Sequence, residues 1–246
     1  MPESEILMPV ITFANTKGGA GKTTMALVVA GELARRGHKV ALLDADPQQW
    51  VSRWMTRTAE LPSLSIVFNI SADNVEQTIK DLSKQADYIL LDLPGGLTPL
   101  LAKGLGLSSH VFVPVQGCAL DAAGGAQVLE ILKQLSEVSG IKIAHSVALT
   151  RVNSIITTRA LQAVKTMLAR QQVHVLDTPL IERAAFRDMF DAGTMLSGMK
   201  PEAVSNLDRA RENARALAEE ILSLVPLKLA RPKAAAPRKA VTKRAA

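Results

Sequence analysis

A single cysteine, Cys118, stands in a chain of 246 residues, so no internal disulfide can form and no Cys-based zinc or iron–sulfur site fits within one chain. Aromatic residues are scarce, with one tyrosine, Tyr88, and two tryptophans. The four histidines, His38, His110, His145 and His174, are scattered and lack the spacing of metal ligands. No apolar run reaches the ~18 residues that a bilayer-spanning helix needs. The opening segment MPESEILMPV is acidic and short and does not read as a signal peptide. A cytoplasmic protein is the expectation.

Acidic residues are missing from residues 227–246, which carry seven Lys or Arg: Lys228, Arg231, Lys233, Arg238, Lys239, Lys243 and Arg244. Residues 1–226 hold 22 basic and 23 acidic residues, so the formal charge of +6 belongs to this tail and the body is nearly neutral. Ala, Pro, Lys and Arg dominate the tail, a composition that buries little and predicts disorder. Two readings stay open: a polycationic arm for nucleic acid, or a solvated appendage. The expected organisation is one domain over 1–226 followed by a basic tail over 227–246. Hydrophobic residues make up 48% of the chain, enough to build a full core.

The body alternates apolar strands with amphipathic helices. Strands are expected at Val10–Ala14, Lys39–Leu43, Leu64–Phe68, Tyr88–Leu91, Val111–Val115 and Ile141–Leu149, with an edge strand at Val173–Val175. Helices are expected at Thr23–Arg36, Gln48–Thr58, Asp73–Gln85, from near Asp121, at Thr157–Arg170 and at Glu202–Leu224. This order predicts an α/β fold: a doubly wound, mostly parallel sheet with helices on both faces. Ligands of such sheets bind beyond the carboxyl ends of the strands.

The first strand runs into Asn15-Thr16-Lys17-Gly18-Gly19-Ala20-Gly21-Lys22-Thr23-Thr24. The general P-loop pattern fails at its first glycine, where Thr16 stands. Gly-Lys-Thr at a strand-to-helix junction remains. Glycines let backbone N–H groups curl around a phosphate, and the helix start adds its positive dipole end. Lys22 can reach the β- and γ-phosphates, and the Thr23 hydroxyl can ligate Mg²⁺. The second strand ends in Asp44-Ala45-Asp46-Pro47, so two carboxylates can face one pocket and hold metal-bound water or orient an attacking water. Asp46 could equally cap a helix that begins at Pro47. The strand Tyr88–Leu91 closes on Asp92, which brings a third carboxylate toward the metal.

The run from Lys17 to Thr24 resembles the deviant Walker A motif of the ParA/MinD family of ATPases, and the resemblance covers roughly residues 9–224. It implies a P-loop NTPase fold that binds ATP and Mg²⁺ with Lys17, Gly18, Gly19, Ala20, Gly21, Lys22, Thr23 and Thr24. It gives Lys17 a reach across an ATP-bound homodimer to the partner's phosphates. Asp46 would position the attacking water, and Thr23, Asp44 and Asp92 would surround the metal. Asn153 resembles an adenine-reading residue, although a turn role is equally open, and Arg183 resembles part of a late loop near the base. Relatives often continue Asp92 as Asp-x-Pro-Pro; Leu93-Pro94-Gly95-Gly96 here implies a more flexible loop.

The tail cannot form the amphipathic membrane helix of MinD-like proteins. The loop begins at Lys17, which implies the short, ParF-like class of plasmid partition ATPases. By that resemblance the chain would be a weak ATP hydrolase that coats double-stranded DNA nonspecifically on the nucleoid. A small ParB- or ParG-like centromere-binding partner would stimulate it. The alternatives are a DNA-binding scaffold of conjugative or T-DNA transfer and a positioning ATPase for a protein cargo. Arg209, Arg211 and Arg215 on the last helix, with Lys233, Arg238, Lys239, Lys243 and Arg244 in the tail, are the expected DNA contacts.

If four or five tail cations meet phosphates, removing residues 227–246 should flatten the log–log salt dependence of DNA affinity by roughly 4 units, at about −0.9 per contact. Sequence preference should not change, because the arm has nothing to stack on bases or read groove edges. Salt titrations of the full chain and of a chain ending at Pro226, both with ATP, measure this; equal slopes would leave the tail a solvated appendage.

Overall fold

The computed structural model describes residues 8–55, 61–116, 119–153 and 159–227. Cys118 and the tail cations lie outside the described residues. Seven strands form one parallel sheet in the order β3-β2-β4-β1-β5-β6-β7. They are β1 (Val10–Phe13), β2 (Val40–Asp44), β3 (Leu64–Val67), β4 (Tyr88–Asp92), β5 (His110–Gln116), β6 (Ala144–Val152) and β7 (Leu180–Ile181). The helices are α1 (Lys22–Arg35), α2 (Trp50–Met55), α3 (Val75–Leu82), α4 (Pro99–Gly106), α5 (Ala119–Ser139), α6 (Arg159–Arg170), α7 (Ala184–Ala192) and α8 (Leu207–Leu224).

Alternate side chains of each strand enter two separate cores. Phe13, Leu42, Tyr88, Leu90 and Phe112 pack against α1, α2, α7 and α8. Val10, Leu43, Ile89, Leu91 and Val113 pack against α3, α4, α5 and α6. Both faces are covered, so the central strands read as continuous apolar runs. Helix α1 is buried almost all round, from Met25 to Ala30, because α8 lies over it and the sheet beneath it. Covering this second face takes large side chains, and Trp54 locks α2 to α7 by donating its indole N–H to the Met189 carbonyl at 2.8 Å.

The register carries the functional geometry. Phe13 pairs with Asp92, and Asp44 pairs with the same Asp92 from the other side. The loop after β1 and two strand-end carboxylates therefore meet at one sheet edge. The chain passes to β2 and β4 on one side of β1 and to β5 on the other, which opens a crevice at that point.

Three expectations from the sequence change. Residues 173–175 give only an isolated bridge, Val147 to Val175, and the edge strand is Leu180–Ile181. The last helix starts at Leu207, not Glu202, because Asn206 adopts left-handed backbone (φ 55°) and isolates a short 3₁₀ turn at Pro201–Ala203. Helices α4 and α7 add to the expected set; α4 is capped by Thr98, whose hydroxyl oxygen accepts from Leu101 N at 3.1 Å, and opens on Pro99.

Two side chains of α8 hold the edge. The Asn213 amide accepts from Ile181 N at 2.9 Å and donates to the Pro179 carbonyl at 2.8 Å. Glu220 accepts from the N–H groups of Asp177 and Thr178 at 2.7 and 2.8 Å. Asn213→Ala should cost about 1–3 kcal/mol by orphaning a strand N–H and a carbonyl. Urea unfolding and faster amide exchange at Ile181 would register it.

Candidate functional site

The phosphate loop is shaped from outside by its carbonyl oxygens. The Thr16 carbonyl accepts from Gly96 N at 2.6 Å. The Lys17 carbonyl accepts from Lys22 Nζ at 3.1 Å, and the Gly19 carbonyl from Gln116 Nε2 at 2.5 Å. The Ala20 carbonyl accepts from the buried Thr150 hydroxyl at 2.9 Å, and Gly21 O closes the first turn of α1 with Met25 N. C=O and N–H of a peptide point in opposite directions, so anchoring the Gly19 and Ala20 carbonyls on Gln116 and Thr150 turns the Ala20 and Gly21 N–H groups away from those side chains, while Lys17 N–H is held by Asn15. Gly19 and Gly21 sit at φ 80° and 97°, the left-handed region that favours glycine. Helix α1 begins without a side-chain cap or an acid in its first turn, which leaves its N-terminal N–H groups and dipole for an anion.

Asn15 anchors the entry. It is fully buried, donates to the Pro114 carbonyl at 2.7 Å and accepts from Lys17 N at 2.8 Å. On the other flank α5 presses Gly124 against the loop. A Cβ there would collide with Asn15 Oδ1 and come within 2.9 Å of Lys17 Cβ. Asn15, Gln116, Gly124 and Thr150 are parts of this site that the sequence does not reveal. Asn15 and Gln116 stand next to recognisable motifs, but only the fold brings in Gly124 and Thr150, more than 100 residues away from the loop.

The carboxylates converge as expected. Asp44 and Asp46 line one crevice with Pro47, Pro94 and Leu100. Asp46 is not a helix cap: its Oδ1 accepts from Gln48 N at 2.8 Å and its carbonyl from Gln49 N at 2.9 Å, while α2 starts only at Trp50. This tight turn leaves Trp50 54% exposed beside the crevice. The Gln49 side chain bonds Asn69 at 2.7 Å, tying this segment to the loop after β3. Gly95 packs closely on the phosphate loop, whereas a Cβ on Gly96 would meet nothing within 4 Å. Gly95 lies so close that a Cβ would come within 3.3 Å of the Thr16 carbonyl and 3.4 Å of Gly18 N.

Asp92 is the stressed group. It is buried, and neither carboxylate oxygen has a hydrogen-bond partner of good geometry. Burial raises its pKa to about 7, with Asp44 and Asp46 adding to the rise and the nearby Thr23 hydroxyl and Lys22 opposing it. Burial likewise lowers the pKa of Lys22, partly offset by Asp92 and Asp46. An unpartnered carboxylate next to a hydroxyl suits a hydrated divalent cation. Among the described residues no three acidic, His or Cys side chains could cage a metal, so phosphate oxygens and water would complete its shell. The residues fit Mg²⁺ brought by a nucleotide.

Asn153 and Arg183 follow the paired strands β6 and β7 at the same sheet edge. Arg183 Nε is buried without a hydrogen-bond partner. Arg209 and Arg215 are exposed on α8. Arg211 has a different occupation: it donates to the carbonyls of Leu196 at 3.0 Å and Met199 at 2.8 Å and braces the loop before α8. Lys233, Arg238, Lys239, Lys243 and Arg244 lie outside the described residues.

Residues 8–227 match the family described as VirC1 protein. The chain is 33% identical over 215 residues to Protein ParA of Rhizobium radiobacter, spanning 87% of this chain and 96% of the relative. It is 28% identical over 229 residues to virC1 of Rhizobium rhizogenes, spanning 89% and 97%. In fold it is similar to the Cyanothece McdA–ATP complex, with a TM-score of 0.72 at 16% identity over 87% of this chain and 96% of that one.

Asp92 stays protonated in the folded chain at pH values where the unfolded chain has already ionised. Stability of the nucleotide-free protein should therefore lose a contribution as pH rises from about 4 to about 7, and no further above that. Asp92→Asn should remove this loss, with a gain over wild type that grows to the order of 3 kcal/mol near neutral pH. Urea titrations of both proteins from pH 5 to pH 8 (about 1-unit steps) would check it; a constant difference would contradict the burial argument.

Proposed function

The chain belongs to the VirC1 family, within the wider ParA/MinD group of P-loop ATPases, and on that premise we propose that it is a nucleotide-switched DNA-positioning ATPase. The observation that carries the reading is the glycine loop with tethered carbonyls, whose Lys22 lies close enough to Asp92 and Asp46 to feel their charge, with Asp44 and Asp46 lining one crevice.

In this reading Lys22, the loop N–H groups and the start of α1 hold the phosphates of ATP. Thr23, Asp44 and Asp92 would hold Mg²⁺ and its waters, whose charge would offset that of the buried Asp92 and of the β- and γ-phosphates. Asp46 orients the attacking water and accepts its proton. Its turn projects it into the same crevice without tying it to a helix cap. Lys17 completes the partner's site in an ATP-bound homodimer. Asn153 and Arg183 would contact the base. Arg209 and Arg215, with the basic tail, carry nonspecific contacts to duplex DNA, and a small centromere-binding partner accelerates turnover. The reading places the protein in the cytoplasm, associated with the nucleoid. Partition of a plasmid or chromosomal region fits the similarity to Protein ParA.

The VirC1 match favours a second reading, a DNA-binding scaffold of a transfer complex with little turnover. Footprinting separates the two, because partition predicts coating of any duplex and the scaffold predicts protection at one sequence.

Lys22→Ala should abolish binding of a fluorescent ATP analogue. Asp46→Ala should bind it normally, stall in hydrolysis by a factor of about 10² or more through loss of water positioning, and accumulate as an ATP dimer in light scattering. Lys17→Gln should bind ATP and stay monomeric. Near-normal affinity in a folded Lys22→Ala protein would defeat the site assignment.

A further inference from the structure

Thr16 occupies a junction that neither the motif nor the metal chemistry accounts for. Its carbonyl accepts from Gly96 N at 2.6 Å, which holds the loop after β4. Its hydroxyl lies 3.2 Å from the Gly124 carbonyl and 2.5 Å from Gln127 Oε1, two acceptors on α5. One residue therefore ties the phosphate loop to two separate elements through two different atoms.

The hydroxyl has a single proton and cannot donate to both acceptors at full strength. It donates to Gln127 Oε1 at 2.5 Å, with the Gly124 carbonyl as the weaker, more distant acceptor at 3.2 Å. This forked bond joins α5 to the loop at the point where Gly124 lies against Asn15 and Lys17. The general P-loop pattern has glycine at this position, which would keep the carbonyl link and lose the hydroxyl link.

We propose that Thr16 is a positioning residue that transmits phosphate occupancy along two separable routes. The carbonyl carries it to the Gly95–Gly96 loop, and the hydroxyl carries it to α5. The inference rests on the nucleotide-binding reading and adds a route by which that site reaches the surface. Helix α5 spans 21 residues and runs from these contacts to Ser139, and its last turns bound an apolar groove with Leu97, which comes directly after Gly96. Leu97 and Val138 there are 66% and 88% exposed. Both walls of that groove are thus attached to Thr16, one through each atom.

The two routes can be cut one at a time. Thr16→Val preserves shape and the carbonyl but removes the hydroxyl; Thr16→Ser restores the hydroxyl. Amide exchange is monitored in the full chain with and without ATP and Mg²⁺. In wild type, ATP should slow exchange both at Gly95–Leu97 and in the first turns of α5. In Thr16→Val the effect at Gly95–Leu97 should persist, while the added protection in α5 should fall by about fivefold, the worth of one hydrogen bond. Turnover should drop severalfold with the KM for ATP changed by less than about twofold, because Thr16 acts after the nucleotide has bound. Thr16→Ser should recover both the protection and the turnover. Equal ATP-induced protection of α5 in wild type and Thr16→Val, or a serine variant that behaves like valine, would overturn the proposal. A wild-type protein whose exchange does not respond to ATP would instead defeat the nucleotide-binding reading itself.

Discussion

The loop between β1 and α1 depends on where its carbonyl oxygens go. A run of glycines has no conformational preference of its own, and an isolated loop of this composition would sample many shapes. Here Gln116 from β5, Thr150 from β6 and Gly96 from the β4 loop each take one carbonyl, and Lys22 folds back onto another. The sheet order makes this possible, because β4 and β5 flank β1 and β6 lies beyond β5. The ligand-binding N–H groups are thus preorganised, and ordering of the loop is already met by the fold rather than charged to the nucleotide.

That preorganisation has an electrostatic counterpart. Asp92 ends a central strand, and the same burial that gives the strand its stability strips the carboxylate of water. Without a cation it is held partly protonated, and Lys22 beside it is pushed toward neutrality by the same desolvation. A chain optimised for stability alone would place a neutral residue there. The strain resides at the site, where a bound cation and phosphates would relieve it.

Much of this is legible in the sequence. The glycine-lysine loop, the three strand-end carboxylates and the alternation of apolar strands with helices locate the crevice, since residues adjacent in the chain make most of it. The supports are invisible there for the converse reason. Thr150 and Gly124 carry no local signal that a phosphate loop lies against them. Gly124 reads as a residue that weakens a helix until its missing Cβ is found to make room for Asn15 and Lys17. At Gly95, too, the missing side chain permits a close backbone contact that the sequence does not announce. The edge strand differs from its expected place because Asn213 and Glu220, far along the chain, decide which residues β6 can pair with.

The scarcity of aromatic residues gives the molecule an optical consequence. Its two tryptophans stand in opposite environments on one short helix. Trp54 is buried, with its indole N–H bound to a carbonyl, whereas Trp50 is half exposed at the end of the turn that carries Asp46. A soluble quencher reaches Trp50 and is shut out from Trp54. The native chain therefore carries an internal reference and a sensor for rearrangement of that turn, readable by fluorescence quenching without any added label.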